Sequence, residues 1–328
     1  MDTILFKKPE EVALFEAPVN QSSAGAFIEA NTIELSVEEV KERHIIPVFN
    51  RDNEPLISHV DFIETVQDVV HKIFVQESIL KPNVRMSHPI KGRIPEAKNK
   101  PASQLMEWEQ TIYYERMMFV IEIPTIMEDV NGNMLSLMVG GVKPYNLDNL
   151  NTKRTQAEQH FKLFIGFKNR VCCNLCVSSD GFVEDLGLKN IHQLRNAVDH
   201  LISSYNHIKH IRDMRQLGEN YLTETQFAQV VGRSRMYKYL PEGAKRGIPP
   251  MLLGDQQLGC VVRDYYKDQH FKHEDDGSLS LWKMYNLLTG ANKSSYIDNF
   301  MDRTVNAQQF VDLVQSDLRG IKKCWYLG

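Results

Sequence analysis

Lys162, Phe164, Lys168 and Arg170 are separated by even steps in the segment FKLFIGFKNRV, residues 161–171. Side chains of a β-strand alternate between its faces, so on a strand these four share one face while Phe161, Leu163, Ile165, Phe167 and Val171 share the other. Cations that track a phosphate backbone, beside an aromatic ring on which a base can stack, are the ingredients of single-stranded nucleic-acid binding. Lys91 and Arg93 upstream, and Lys143 at the end of the preceding strand, would extend the track. An antiparallel sheet with one solvated face also carries Lys and Arg there as a matter of course, so the pattern has an ordinary reading beside the functional one.

The string Leu222–Leu240, LTETQFAQVVGRSRMYKYL, offers a different nucleic-acid chemistry. A helix-turn-helix needs a small residue inside its first helix and a glycine four residues later for the turn, and Ala228 with Gly232 supplies both. Arg233, Arg235 and Lys238 would then be available to phosphates. The second half fits less well, because Arg233 and Lys238 fall where the motif buries apolar residues and Pro241 ends the helix after about two turns. A plain helical hairpin is the competing reading.

Other groupings point to packing rather than chemistry. Cys173 and Cys176 have the gap of a zinc knuckle, yet no second pair at ligand spacing accompanies them, which favours buried thiols at a strand end. His200, His207 and His210 fall at similar azimuths if 191–211 is one helix, without a carboxylate at the matching step. His270 and His273 lie in an acidic loop, HFKHEDDG. Gly140-Gly141 would let a phosphate approach the backbone, or would mark a strand end or close packing. The signatures GxSxG, GxxxxGK[ST], HExxH and a strand-following GxGxxG are missing, so no catalytic residue, metal ligand or cofactor site is assigned.

Positioning these groups requires a scaffold, and the sequence predicts an α+β one. Tyr113–Ile123 and Met134–Val142 flank Asn131-Gly132, a strong two-residue hairpin signal, and Phe161–Val171 supplies a third strand. Ile191, Leu194, Val198, Leu201, Tyr205, Ile208 and Ile211 mark one long amphipathic helix to cover this antiparallel meander. A helix is expected from Asp61 to about Val75, a short one at Val37–Glu42, and additional C-terminal helices at Thr223–Val231, Ser280–Leu288 and Asn306–Leu318, the last capped by Gly320. His44–Phe49 reads as a short strand. The prolines at 82, 89, 95 and 101, among six Lys and Arg, predict a long basic loop over 81–101. The resulting division is an acidic arm and helix (1–80), a proline-containing linker (81–105), a sheet-plus-helix core (106–220) and a mainly helical region (221–328).

Composition sets the outer limits. With 328 residues, 42% of them apolar, the chain can bury a substantial core. The start MDTILFKKPEEVALF lacks the pattern of a leader, no stretch has the length of an apolar membrane span, and five cysteines suit reduced thiols, so a cytoplasmic protein without membrane contact is expected. The net charge of −4 is uneven: Lys and Arg against Asp and Glu number fourteen to twenty-three over 1–150, fifteen to nine over 151–250, and nine to ten over 251–328. A basic middle can attract a polyanion locally but is far weaker than the footprint of a DNA-coating protein.

Six blocks together resemble a known family: SHPIKGRIPEAKNKPASQL (87–105), IYYERMMFVIEIP (112–124), GGVKPYNLDNL (140–150), FKLFIGFKNRVCCNLCVSSDGF (161–182), QFAQVVGRSRMY (226–237) and LWKMYNLLTGANKSSYIDNFMDR (281–303). The family is an uncharacterised one of Bacteroides-type bacteria and their mobile elements, similar to a broader set of phage/plasmid-like proteins, and the resemblance spans about residues 40–328. It brings no catalytic residue. It implies the roles that mobile elements commonly carry: DNA replication, recombination, transcription control or evasion of host defence. The expectation is therefore a non-enzymatic DNA-handling protein that binds single strands through Lys91, Arg93, Lys143, Lys162, Phe164, Lys168 and Arg170. The alternatives are an effector that binds a host or mobile-element protein, and a regulator reading duplex DNA through Arg233, Arg235 and Lys238.

Overall fold

The computed structural model describes residues 25–43, 57–144 and 158–328. The strand expected at His44–Phe49 lies outside them. In chain order come β1 (Thr32–Leu35), α1 (Val37–Arg43), α2 (His59–Ile73), β2 (Asn83–Ser87), β3 (Ile90–Arg93), β4 (Gln110–Tyr113), β5 (Arg116–Val130), β6 (Asn133–Pro144), β7 (Gln159–Asn169), β8 (Leu175–Cys176) and β9 (Phe182–Leu188). The rest is mainly helical: α3 (Ile191–Ser204), α4 (His207–Leu217), β10 (Tyr221–Leu222), α5 (Glu224–Tyr237), α6 (Glu242–Lys245), α7 (Asp255–Lys267), β11 (Leu279–Ser280), α8 (Leu281–Asn292) and α9 (Ile297–Leu318). The α+β class follows. No helix among the described residues is long and apolar enough to cross a membrane.

The three strands read from the sequence are the centre of an antiparallel sheet of order β1-β2-β5-β6-β7, with β8 and β9 both paired to the outer edge of β7. Its hairpin turns at Asn131 and Gly132, whose φ angles of 52° and 80° are the left-handed pair that a two-residue turn requires. A Cβ at Gly132 would meet nothing within 4 Å, so the cost of Gly132→Ala is conformational alone. Thermal denaturation should show a loss of about 1 kcal/mol, and no loss would mean the turn is not formed as described.

Three expectations need correction. Residues 81–101 are not a continuous loop, because β2 enters the main sheet between β1 and β5 and β3 pairs with β4 in a separate two-stranded ribbon. The prolines punctuate these strands rather than forbid them: Pro82 precedes β2, Pro89 separates β2 from β3, and Pro95 opens a short 3-10 turn. The single long helix is two, since Tyr205 is extended and the Asn206 side chain accepts from Lys209 N–H to begin α4. The third correction, in α5, concerns the site.

Both faces of the sheet are buried. On one, Phe119, Ile121, Leu137, Val139, Phe161, Leu163 and Ile165 pack into a cluster with α2, α3 and α4 that continues through α5, α7, α8 and the C-terminal half of α9. On the other, Met118, Val120, Met138, Val142 and Phe164 pack against Phe27, Ile28 and the first turns of α9 (Ile297, Phe300, Met301, Val305). Gly140 and Gly141, on successive strand positions, serve opposite faces: a Cβ on Gly141 would stand 2.3 Å from the Phe62 ring of α2, and one on Gly140 would stand 2.4 Å from the Phe164 ring. The glycine pair is thus close packing, and the space a phosphate would need holds aromatic rings.

Candidate nucleic-acid interface

The residues expected to form one basic face do not reach solvent together. Lys162 is 8% exposed, and its Nζ lies 2.7 and 3.0 Å from the two carboxylate oxygens of Asp302 on α9. Lys168 is 9% exposed and donates at 3.0 Å to Glu122 of β5, which also accepts from Ser136 Oγ at 2.6 Å. Phe164 is fully buried in the cluster under α9. Lys143 is buried too, with its ammonium 4.1 Å from the centre of the Phe161 ring. Arg170, half-buried, is turned towards Met127 Sδ at 3.1 Å. The open cationic patch expected on β7 is therefore absent, because α9 and the segment around Phe27 close that face. The sequence did hold the signal: β5 and β6 are apolar on both faces (MMFVIEI, MLSLMVGGV), the mark of a sheet buried on both sides.

Lys91 and Arg93 sit elsewhere, on the β3–β4 ribbon. Lys91 is exposed, Arg93 donates to the Lys100 carbonyl, and Lys100 pairs with Glu109. Ile90, Met106 and Trp108 are exposed in the same region.

The helix-turn-helix expectation also falls. α5 runs unbroken through Gly232 to Tyr237, started by a Thr223–Gln226 capping box. No turn separates two helices, so there is no recognition helix. Arg233 is bound inward, donating to the Trp325 carbonyl and lying 5.5 Å from the Trp325 ring centre. Arg235 and Lys238 remain exposed at the C-terminal end of α5, where Asp255 stands 3.3 and 3.8 Å from them. The Arg235 hydrogen bond holds the Asp255 carboxyl below the usual carboxylate range. Ion pairs this exposed are weak and exchangeable, so both cations stay available to an anion.

These two residues belong to a larger corner that the sequence reading did not single out. Past the end of α5, Tyr239 is 74% exposed, and Lys245 and Arg246 follow on and after the short α6. From 233 to 246 the chain carries Arg233, Arg235, Lys238, Lys245 and Arg246 against Glu242 alone. The spacing is visible in RSRMYKYLPEGAKR, where Pro241 marks the end of the helix that displays it.

The cysteines and helix histidines are held in different surroundings. Cys173 and Cys176 are buried and Cys172 partly so; burial pushes the Cys172 thiol up to about 11 and that of Cys176 higher still. Such thiols are poor nucleophiles and poor ligands at neutral pH. With the helix broken at Tyr205, the three histidines no longer share a face: His200 is exposed, while His210 is buried against the Tyr205 hydroxyl at 2.6 Å and held at about 4 by burial. No group of three or more His, Cys, Asp or Glu among the described residues could hold a metal ion.

No curated protein and no solved structure matches this chain. A family model does, over residues 9–327, under the description "Domain of unknown function, B. Theta Gene description (DUF3871)". With nearly its whole length matched, the chain belongs to the DUF3871 family.

Proposed function

We propose that this chain is a non-catalytic DNA-handling protein that holds single-stranded nucleic acid at the corner formed by the end of α5 and by α6. The supporting observation is the exposed Tyr239 ring, with Lys238 Nζ 5.8 Å from its centre, Arg235 beside Lys238 on Asp255, Lys245 5.8 Å from the neighbouring Tyr237 ring, and exposed Arg246 next in sequence. Cations neutralise successive phosphates while the phenol ring offers a stacking surface to any base. Their place at a helix C-terminus is also where positive side chains are best tolerated. The resemblance to proteins of mobile elements, where single-strand handling is common, agrees with this reading.

Fluorescence anisotropy with a labelled single-stranded oligonucleotide tests it. Four phosphate contacts should give a log K against log salt slope of about −3. The triple variant Arg235→Ala/Lys238→Ala/Arg246→Ala, all at exposed positions, should bind about tenfold more weakly at low salt with a slope reduced by about 2. Binding indifferent to salt, or unchanged in the variant, would remove the reading.

A second reading is favoured by the β3–β4 ribbon and its connecting segment, where exposed Ile90, Met106 and Trp108 fit a protein partner better than a phosphate backbone. Nuclease-treated pulldowns should then retain a discrete protein with the wild type and lose it with Met106→Asp/Trp108→Ala. Equal recovery by both would contradict it.

A further inference from the structure

Arg303 is an electrostatic anomaly. It lies in the second turn of the 22-residue helix α9. It is half-buried, and burial alone pulls its guanidinium down from the usual value with no carboxylate opposing the shift. The acidic residues nearest in sequence are already engaged, Asp298 by Arg116 Nε at 2.6 Å and Asp302 by Lys162. Among the described residues, the one polar partner of Arg303 is Ser295 Oγ, which accepts from Nη1 at 2.6 Å. Nε and Nη2, the edge that grips an oxyanion with two parallel hydrogen bonds, have no acceptor among the described residues.

That guanidinium lines an open pocket of about 500 Å³ between α9, the α7 N-terminus and the segment Glu29–Asn31. The pocket has polar side chains in its floor: Ser295 is 1% exposed and Gln257 6%, and Gln257 Nε2 donates to Ser294 Oγ at 3.1 Å. Tyr296, 62% exposed, stands at its side as a flat aromatic wall, and Asn299 and Gln256 add amide donors and acceptors. Glu29 is the one carboxylate in the lining and is exposed on the rim, without an ion pair to Arg303. Local rules are broken at functional sites when a ligand restores the balance, and a half-buried arginine with no carboxylate partner among the described residues, in a polar cavity, is such a break.

We infer that this pocket binds a phosphate monoester carrying a planar ring, of nucleoside monophosphate size, with the phosphate on Arg303 and the ring against Tyr296. The site uses none of the residues of the α5–α6 corner and stands or falls separately from it.

Isothermal titration of the full chain with adenosine 5′-monophosphate, inorganic phosphate and adenosine tests the assignment. The monophosphate should bind with a Kd of about 1 mM or tighter, and more tightly than phosphate or adenosine alone. Arg303→Gln should weaken the monophosphate and phosphate alike by about tenfold or more. Tyr296→Ala should weaken only the monophosphate, by about tenfold, and leave phosphate unchanged. Should Arg303→Gln fail to fold, Arg303→Lys keeps the charge without the fork and should still lose several-fold in phosphate affinity. The Arg235→Ala/Lys238→Ala/Arg246→Ala protein should bind the monophosphate as the wild type does. No binding of either phosphate compound, or affinities indifferent to every change at Arg303, would overturn the inference.

Discussion

Glu122→Ala should destabilise the protein by about 3–5 kcal/mol, read as a lower urea midpoint at unchanged slope. The substitution removes the partner of an ammonium that is 9% exposed between β5, β6 and β7, and it also leaves Ser136 Oγ without its 2.6 Å acceptor. An uncompensated buried charge is far costlier than the pair is beneficial. Replacing both members by apolar side chains of similar volume, Glu122→Leu/Lys168→Met, should therefore recover most of the loss. A change below about 1 kcal/mol for Glu122→Ala would mean that Lys168 reaches water and that the β7 face is open after all.

Gly140→Ala should cost about 3 kcal/mol, at the upper end for overpacking. Its Cβ would stand 2.3 Å from the Phe119 carbonyl oxygen as well as 2.4 Å from the Phe164 ring, and backbone across a ladder cannot step aside as a side chain can. For Gly141→Ala the nearest atoms belong to the rings of Phe62, at 2.3 Å, and Phe119, at 3.1 Å. Phe62→Leu should partly rescue Gly141→Ala, whereas Phe164→Leu should not rescue Gly140→Ala. Equal rescue at both positions, seen by thermal denaturation, would show that the strands can separate there.

Much of the scaffold was legible because its signals are local. Asn131-Gly132 fixes a turn by backbone conformation, and Gly320 at φ 69° closes α9; the Ser58–Asp61 capping box, which starts α2 two residues before the expected Asp61, was passed over. β7 and α2 rest on periodicities of two and 3.6, and β5 and β6 on runs of strand-forming residues either side of the turn. The break at Tyr205-Asn206 was harder, since the apolar period continues from Leu201 through Ile211 and only the capping Asn206 betrays a new start. α7 was missed although Leu258, Val261 and Tyr265 keep helical spacing, because Gly254 and Gly259 interrupt the run.

The site was less legible because exposure is not a local property. Lys162 and Lys168 alternate with apolar residues as they would on a solvated strand, and what buries them is Asp302, 140 residues away, and Glu122, 46 residues away. A period-two pattern reports which face a side chain occupies, never what lies over that face. The same limit hid Arg303, whose importance lies in the carboxylate that is not beside it. Arg235 and Lys238 were identified, but in a helix-turn-helix that α5 does not form.

Lysine-selective acylation followed by mass spectrometry, with and without a single-stranded oligonucleotide, tests the central claim most directly. Lys238 should be modified in the free protein and protected by the oligonucleotide, while Lys143, Lys162 and Lys168 stay unmodified in both. Modification of Lys162 and Lys168 in the free protein, and their protection by DNA, would contradict the account by placing the interface on the sheet that α9 covers.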